Sequence, residues 1–578
     1  MIKFIKDRKI LWICIVAINL VLLKDLLIFN RIYIIGDEFG YWANASLFAG
    51  CDWKEVAKVN PYYSYGYSLL LAPLFMLKDS ALMYKAAIVM NAVFLSLAAV
   101  FAYSIVHQLH KNFSAKTAAI MSMAVVLYPN NIFSASTTQC ETLLILLYTI
   151  VFWCIYKYTV ESKVKYLWAG LFTSCFMYMV HMRSLGVLIG TAICVVLSLA
   201  EKKEWKFVIG TILLVVLFVC LYNDIKELIV DVLYLNNTTT AVNDYSGQVN
   251  KVAAILSLKG IKNLLISVLG KFFYLGLSTC FLFYWMLIAL IKKAAEFVVK
   301  IGHRENIEFR DYMISLFMIL TIGSTFCITA IASLEPYRID ALFYGRYNEM
   351  IIIPVLIVGM IEMYQTSDRI KYMIPMIVGQ FLLAIITYRV LEINETTNVY
   401  GNNMCVLAAL AKKANGEYIY PYFTVNATIK VTVVAIVCVM LLSCYKNYKK
   451  AVMIGTMLTA VFWCYHGVLW QESAVMRFQR KTADVALTEM VQSRNSTEIQ
   501  GYYSSNCDNI VKLSFDFLQY ILPEYNVKLD SCDNIEEIEK NMDFVIQSND
   551  QFLYNKIRKS KDYEILECSD NFYLIHKK

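Results

Sequence analysis

The amino-acid sequence predicts an all-α polytopic membrane domain of about thirteen transmembrane helices, residues 1–470, followed by a small extracytoplasmic α/β domain, residues 471–578. Three observations predict it. First, 59% of the 578 residues are apolar and 17% are charged, against roughly 45–50% and about 25% in ordinary globular chains. A water-soluble protein of this length could not bury that excess, whereas a bilayer can. Second, the apolar residues fall in blocks of about 20, long enough to cross a ~30 Å hydrocarbon layer as helices. Third, Lys and Arg gather in alternate connecting segments, the asymmetry of the positive-inside rule. These features exclude a soluble enzyme, a nucleic-acid binder and a secreted disulfide scaffold.

In chain order, spans are expected at 10–29, 81–106, 117–136, 138–157, 166–181, 184–200, 206–222, 268–291, 312–334, 349–365, 372–391, 429–445 and 451–470. The stretch 166–200 is divided at Met182-Arg183-Ser184, because an Arg at mid-membrane is costly. The net charge of +8 matters through its placement. Lys3, Lys6, Arg8 and Lys9 precede the first span, and Lys202, Lys203 and Lys206, Arg369 and Lys371, and Lys446, Lys449 and Lys450 occupy later segments of the same side. This puts the amino terminus in the cytoplasm of a cell-membrane protein. No small-residue cleavage site follows the first span, so it is expected to be retained.

The first outer loop, 30–80, holds a half-apolar stretch from Tyr65 to Leu77, too short to span and suited to lie at the interface. Two further outer segments are 223–267 and 392–428. In the tail, GYY (501–503) and DFVI (543–546) read as strands flanking a helix around 508–521. Most of the sixteen cysteines lie in spans as small hydrophobes; a Cys507–Cys532 bridge is left open by spacing alone. The six histidines show no metal-ligand spacing, no cofactor is certain, and a divalent cation stays open.

The chemistry-bearing stretch is Gly36-Asp37-Glu38-Phe39-Gly40-Tyr41-Trp42, just past the first span. Its bland reading is a helix start with Asp37 as cap and Glu38 in the first turn. Further along come Lys85, Glu141, Arg183, and Arg338 and Arg346 in EPYRIDALFYGRYNE (335–349). Each has its own bland reading: Lys85 snorkels, Arg183 ends a helix, and Arg346 pairs with Glu349. No carboxylate is near Arg183 in sequence, so an external anion is its natural partner. In the expected topology, however, all of them lie at one depth. Acids and cations gathered at one interface suit a proton acceptor beside an anionic group. Sugar transfer from a polyprenyl phosphate needs that set: one base for the acceptor hydroxyl, and cations for the leaving phosphate. A glycoside hydrolase would need a second carboxylic acid.

The ordered set GDEFGYW, PYYSYGYSLLLAPLF (61–75), Lys85 in ALMYKAAIVMNAVF, YPNNIFSASTTQCETLLILL (128–147), MVHMRSLGVLI (179–189) and FYGRYNEMIIIP (343–354) resembles the GT-C superfamily of polytopic glycosyltransferases. The resemblance is to the branch of dolichyl-phosphate-mannose protein mannosyltransferases and lipid A aminoarabinose transferases, over roughly residues 10–390. It implies Asp37 as general base with Glu38 assisting, and Lys85, Arg183, Arg346 and Arg338 on the donor phosphate. Tyr41, Tyr65, Glu141, Tyr344 and Tyr347 would line the substrates. The implied partners are a polyprenyl-phosphate sugar donor, an extracytoplasmic glycan, lipid or protein acceptor, and the bilayer, with no nucleic acid. No Trp-Trp-Asp-Tyr-Gly run and no outer Asp-x-Asp occurs, which argues against a lipid-diphosphate oligosaccharyltransferase with an obligatory metal. Two rivals stay open: an envelope polysaccharide polymerase or ligase, and a transporter or lipid flippase, which would carry ionisable residues near the midplane. The transferase reading requires Asp37, Glu141, Arg183 and Arg346 to meet in one cavity.

Overall fold

The computed structural model describes residues 9–578 except 110–112, 236–251, 253–254, 306, 333, 335–344, 394–405, 407–409, 411–412, 415–416, 419–424, 446, 480–488, 492–496, 506–508 and 570. Long apolar helices build a bundle in chain order: α1 (Lys9–Leu22), α2 (Ile35–Ala49), α3 (Ser80–Leu109), α4 (Ala115–Val126), α5 (Pro129–Ala135), α6 (Glu141–Glu161), α7 (Val164–Val180) and α8 (Leu185–Glu201). After these come α9 (Trp205–Leu233), α10 (Leu258–Ser278), α11 (Leu282–Gly302), α12 (Met313–Ala332), α13 (Ile352–Gln365), α14 (Arg369–Ile393), α15 (Ala427–Cys444) and α16 (Tyr448–Gln471). Among the described residues ten helices are long and apolar enough to cross a membrane, or eleven with α4 and α5 taken as one bent span. The chain is a multi-pass membrane protein. The expected thirteen include two segments that fold as shorter apolar helices, α1 and α7.

Two expected spans are broken, each for a local reason. Span 117–136 bends by 63° between α4 and α5, where Pro129 opens the second helix; proline lacks the N–H that would continue the first. Span 268–291 is interrupted after Ser278, where Cys280 and Phe281 take positive φ (50° and 68°) and the Phe281 N–H bonds the Gly276 carbonyl at 2.8 Å. Tyr274 on α10 meets Glu349 at one end of α13, and Lys292 on α11 meets Glu362 near its other end. α11 therefore runs alongside α13, while α10 packs on α14 and α12 and reaches α13 through Tyr274.

Burial sorts the helices. Most residues of Arg346–Gln365 are buried, which puts this segment inside the bundle, whereas few of Trp205–Leu233 are, and its apolar side chains face outward as lipid contact requires. In the loop 30–80, Ser68–Leu71 and the 3-10 turn Ala72–Leu77 form a short apolar helical piece, too short to span, within the stretch 65–77.

The tail adds five strands, β1 (Glu498–Tyr503), β2 (Asn526–Ser531), β3 (Met542–Gln547), β4 (Tyr563–Cys568) and β5 (Phe572–Lys577), with helices α17 (Asn509–Ile521) and α18 (Gln551–Lys559). The sheet order is β2-β1-β3-β5-β4. Its first three strands are parallel and the last two pairings antiparallel. The expected strands and helix are β1, β3 and α17. Cys532 is a free thiol, and Cys507 lies outside the described residues. α17 docks the tail on the first outer loop. Asn60 Nδ2 donates to Asp516 Oδ1 at 2.6 Å, Trp53 Nε1 to the Pro523 carbonyl at 3.1 Å, and the Tyr520 hydroxyl to the Ser80 carbonyl at 3.0 Å. First loop and tail thus share one end of the bundle.

Candidate active site

Asp37 and Glu38 sit in the first turn of α2, at the positive end of the helix dipole. Being adjacent, they point about 100° apart, and their surroundings differ accordingly. Glu38 is fully buried. Its Oε1 accepts the backbone N–H groups of Tyr33 (2.8 Å) and Ile34 (2.6 Å). Its Oε2 accepts from the Thr138 N–H (2.6 Å), the Thr138 hydroxyl (2.5 Å) and the Tyr84 phenol (3.0 Å). Burial pushes its carboxyl up, and the Thr138, Ile34 and Tyr33 donors pull it back. One turn on, the Trp42 indole N–H donates to the Thr138 oxygen at 2.9 Å. Glu38 therefore ties the start of α2 to the turn before α6.

Asp37 is a third exposed. Its Oδ1 accepts from the Tyr63 phenol (2.7 Å), and its Oδ2 from the Gln139 amide (3.2 Å) and Arg346 Nη1 (2.7 Å). Tyr63 reaches it by lying on Gly40, where a Cβ would stand 2.0 Å from the ring; only glycine permits that approach. Burial, and then the Asp37 charge, push the Tyr63 phenol well up, so it stays protonated and donating.

Arg346 joins the two acids, since its Nε donates to Glu141 Oε1 at 2.8 Å while Nη1 holds Asp37. Arg183, in the 3-10 turn Met182–Ser184, donates from Nη2 to the same Glu141 oxygen at 3.1 Å. Its guanidinium carbon lies 5.1 Å from the Tyr347 ring centroid. Among the described residues, Arg183 Nε and Nη1 and Glu141 Oε2 are buried with no partner. Asp37, Glu141, Arg183 and Arg346 thus form one chain of contacts.

Two expected pairings are corrected. Arg346 does not pair with Glu349, which is fully buried and accepts from Tyr128 (3.1 Å) and from Tyr274. Arg183 does have a protein carboxylate, Glu141, 42 residues away in the chain and so invisible to a local reading. Of the other expected residues, Tyr41 is buried with its phenol 2.9 Å from Cys140 Sγ, and Tyr65 is buried and stacked on Tyr222 at 5.3 Å. Lys85 is half-buried one residue past Tyr84, and no ion pair or hydrogen bond among the described residues joins it to the cluster. Arg338 and Tyr344 lie outside the described residues. Tyr63, Gln139 and Thr138 were not anticipated. Their signal was faint: one tyrosine among several in PYYSYGY, and two polar residues just before Glu141. Among the described residues no group of three His, Cys, Asp or Glu side chains is placed to hold a metal.

No family model matches the sequence, and no curated protein matches it. The fold does align with solved structures. ArnT from Cupriavidus metallidurans bound to undecaprenyl phosphate superimposes with a TM-score of 0.52 over 97% of each chain, at 13% identity. The same protein in the apo state gives 0.49 over 97% of each chain, at 11% identity. The chain shares its overall membrane fold with ArnT.

Proposed function

We propose that this protein is an integral membrane glycosyltransferase that moves a sugar from a polyprenyl-phosphate donor to an extracytoplasmic acceptor. The carrying observation is the pairing of a half-open carboxylate, Asp37, with Arg183, a buried guanidinium whose Nε and Nη1 have no partner among the described residues. A buried donor without a partner costs about 1–3 kcal/mol, and a phosphate oxygen would relieve that at Arg183 bidentately. The GT-C likeness supports the donor class, because ArnT is the fold's example bound to undecaprenyl phosphate.

In this reading the acceptor O–H gives its proton to Asp37, and the acceptor oxygen bonds to the anomeric carbon from the face opposite the leaving group. The C–O bond to phosphate breaks, and the phosphate departs with the electron pair as a stable anion beside Arg183 and Arg346. A single in-line step inverts the anomeric centre. Tyr63, Gln139 and Arg346 fix the orientation of the Asp37 carboxylate, Glu141 orients both guanidiniums, and Tyr347 walls the Arg183 side. Glu38 holds the fold of the site and does not meet the acceptor.

Purified protein would be examined by native mass spectrometry for co-purifying lipid, then assayed for transfer from a polyprenyl-phosphate hexose or pentose. Donor binding that is lost in Arg183→Ala and retained in Asp37→Asn, with transfer lost in both, is the expected result. Donor affinity unchanged in Arg183→Ala and Arg346→Ala together would overturn the reading.

A further inference from the structure

A cavity with a cationic rim lies at the opposite end of the bundle. α13 and its leading turn start at Arg346 in the candidate active site and end at Gln365, roughly 28 Å away at 1.5 Å per residue. There a cavity of about 540 Å³ opens among Thr117, Tyr364, Arg369, Tyr448, Lys449 and Val452. Three of its walls are first turns of long helices. Thr117 is on α4, Arg369 opens α14, and Tyr448 and Lys449 open α16. Helix N-termini carry about half a positive charge each and bind anions through the N–H groups left free. Here the Ser114 hydroxyl already accepts the Thr117 N–H (3.1 Å) and the Asn447 side chain the Lys450 N–H (3.2 Å), which leaves the earlier N–H groups of each start.

The opposing, negative helix end is already neutralised. α13 finishes here, and its Met363 and Tyr364 carbonyls accept Arg369 Nε (2.9 Å) and Nη2 (2.7 Å); the Tyr448 hydroxyl also donates to Tyr364. Arg369 is only 8% exposed, yet no carboxylate pairs with it among the described residues, nor with Lys449, Lys371 or Lys450. Of the nearby acids, Glu362 is engaged by Lys292 and Thr366, and Asp368 is exposed. Three helix N-termini, a buried guanidinium and an unpaired ammonium meet at a cavity with aromatic and apolar walls. The loops around it are the Lys- and Arg-rich ones that the positive-inside pattern puts at the cytoplasmic face.

We propose that this cavity is an anion site for a phosphate ester, and that at this membrane face the ester is a phospholipid headgroup. The phosphate sits among the three helix starts, Arg369 and Lys449, and the glycerol and upper acyl carbons lie against Tyr364 and Val452. The proposal is independent of the transferase reading, with which it shares no residue.

The test uses the full chain, delipidated in detergent and titrated with phosphatidylglycerol or phosphatidylcholine under native mass spectrometry. One phosphatidylglycerol should bind at least tenfold more tightly than phosphatidylcholine. Lys449→Glu, which reverses the charge, and Val452→Trp, which fills the cavity, should each weaken it about tenfold, with phosphatidylcholine unaffected. Neither variant touches the Arg369 anchor, and a thermal melt confirms that each is folded. Equal binding of the two lipids, or unchanged phosphatidylglycerol binding in both folded variants, would overturn the site. Displacement of the lipid by soluble glycerol phosphate at equal concentration would keep the anion site and overturn its lipid occupant.

Discussion

Asp37 and Glu38 share a peptide bond but not a task, and substitution should separate them. An amide at 37 keeps the shape but cannot take a proton, and general-base catalysis commonly contributes about 10²–10⁴-fold. Asp37→Asn should therefore lower transfer by at least a hundredfold in a radiolabel assay, with an unchanged melting temperature. Glu38→Gln should do the reverse. A glutamine has one acceptor oxygen, while five hydrogen bonds converge on the buried carboxylate. Each donor left unsatisfied costs about 1–3 kcal/mol, so the variant should melt several degrees lower in detergent. A Glu38→Gln protein that melts like wild type yet cannot transfer would return the catalytic role to Glu38. At Arg183 the fork geometry matters as well as the charge. Arg183→Lys should keep the Glu141 contact but lose the bidentate phosphate grip, weakening donor binding in nanodiscs less than Arg183→Ala does.

Elements show where the sequence was legible and where it was not. Block length and charge asymmetry located most of the membrane helices, because lipid imposes a single demand on every residue of a span. The breaks at 127–128 and 279–281 escaped, since a proline that opens a helix and a positive-φ pair redirect the backbone inside blocks whose flanks are apolar enough to read as one span. The acids and cations of the site were legible as residue types at one depth. Their pairing was not, because Glu141 with Arg183 and Asp37 with Arg346 are contacts across 42 and 309 positions. α17 adds a prediction of its own. Asp516 is fully buried against Asn60, and burial holds its carboxyl well above the ordinary range. The protonated form is favoured in the fold, so its docking is fully stable below the unfolded value of about 3.9 and weakens as pH rises toward the folded one. Asp516→Asn, neutral at every pH, should melt at or above wild type, with the gap widening from pH 6 to pH 9. A gap that narrows over that range would show the carboxylate to be charged in place.

For the whole molecule, the candidate active site and the tail occupy one end of the bundle and the cationic loops the other. With native thiols blocked beforehand, cysteines introduced at Lys202 and Glu524 should react with an impermeant maleimide from opposite sides of sealed cells or inverted vesicles. Labelling from the same side would sink the topology. Deletion of 480–578 should also abolish transfer although it removes no charged residue of the site, because α17 covers Trp42 and Tyr84 behind Glu38 and the turn after it, at Pro523, holds Trp53.

The docking of α17 on the first outer loop also sets an order of events during synthesis. Asn60 must wait for Asp516, 456 residues later, and at about 5–20 residues per second that is a delay of roughly 20–90 s. In the proposed orientation the loop carrying Asp37 is already translocated throughout that delay, with its tryptophans uncovered. A ribosome that stalls or terminates early leaves a nascent chain with an unclad aromatic surface at the outer leaflet, a mark by which quality-control proteases could tell unfinished copies from finished ones.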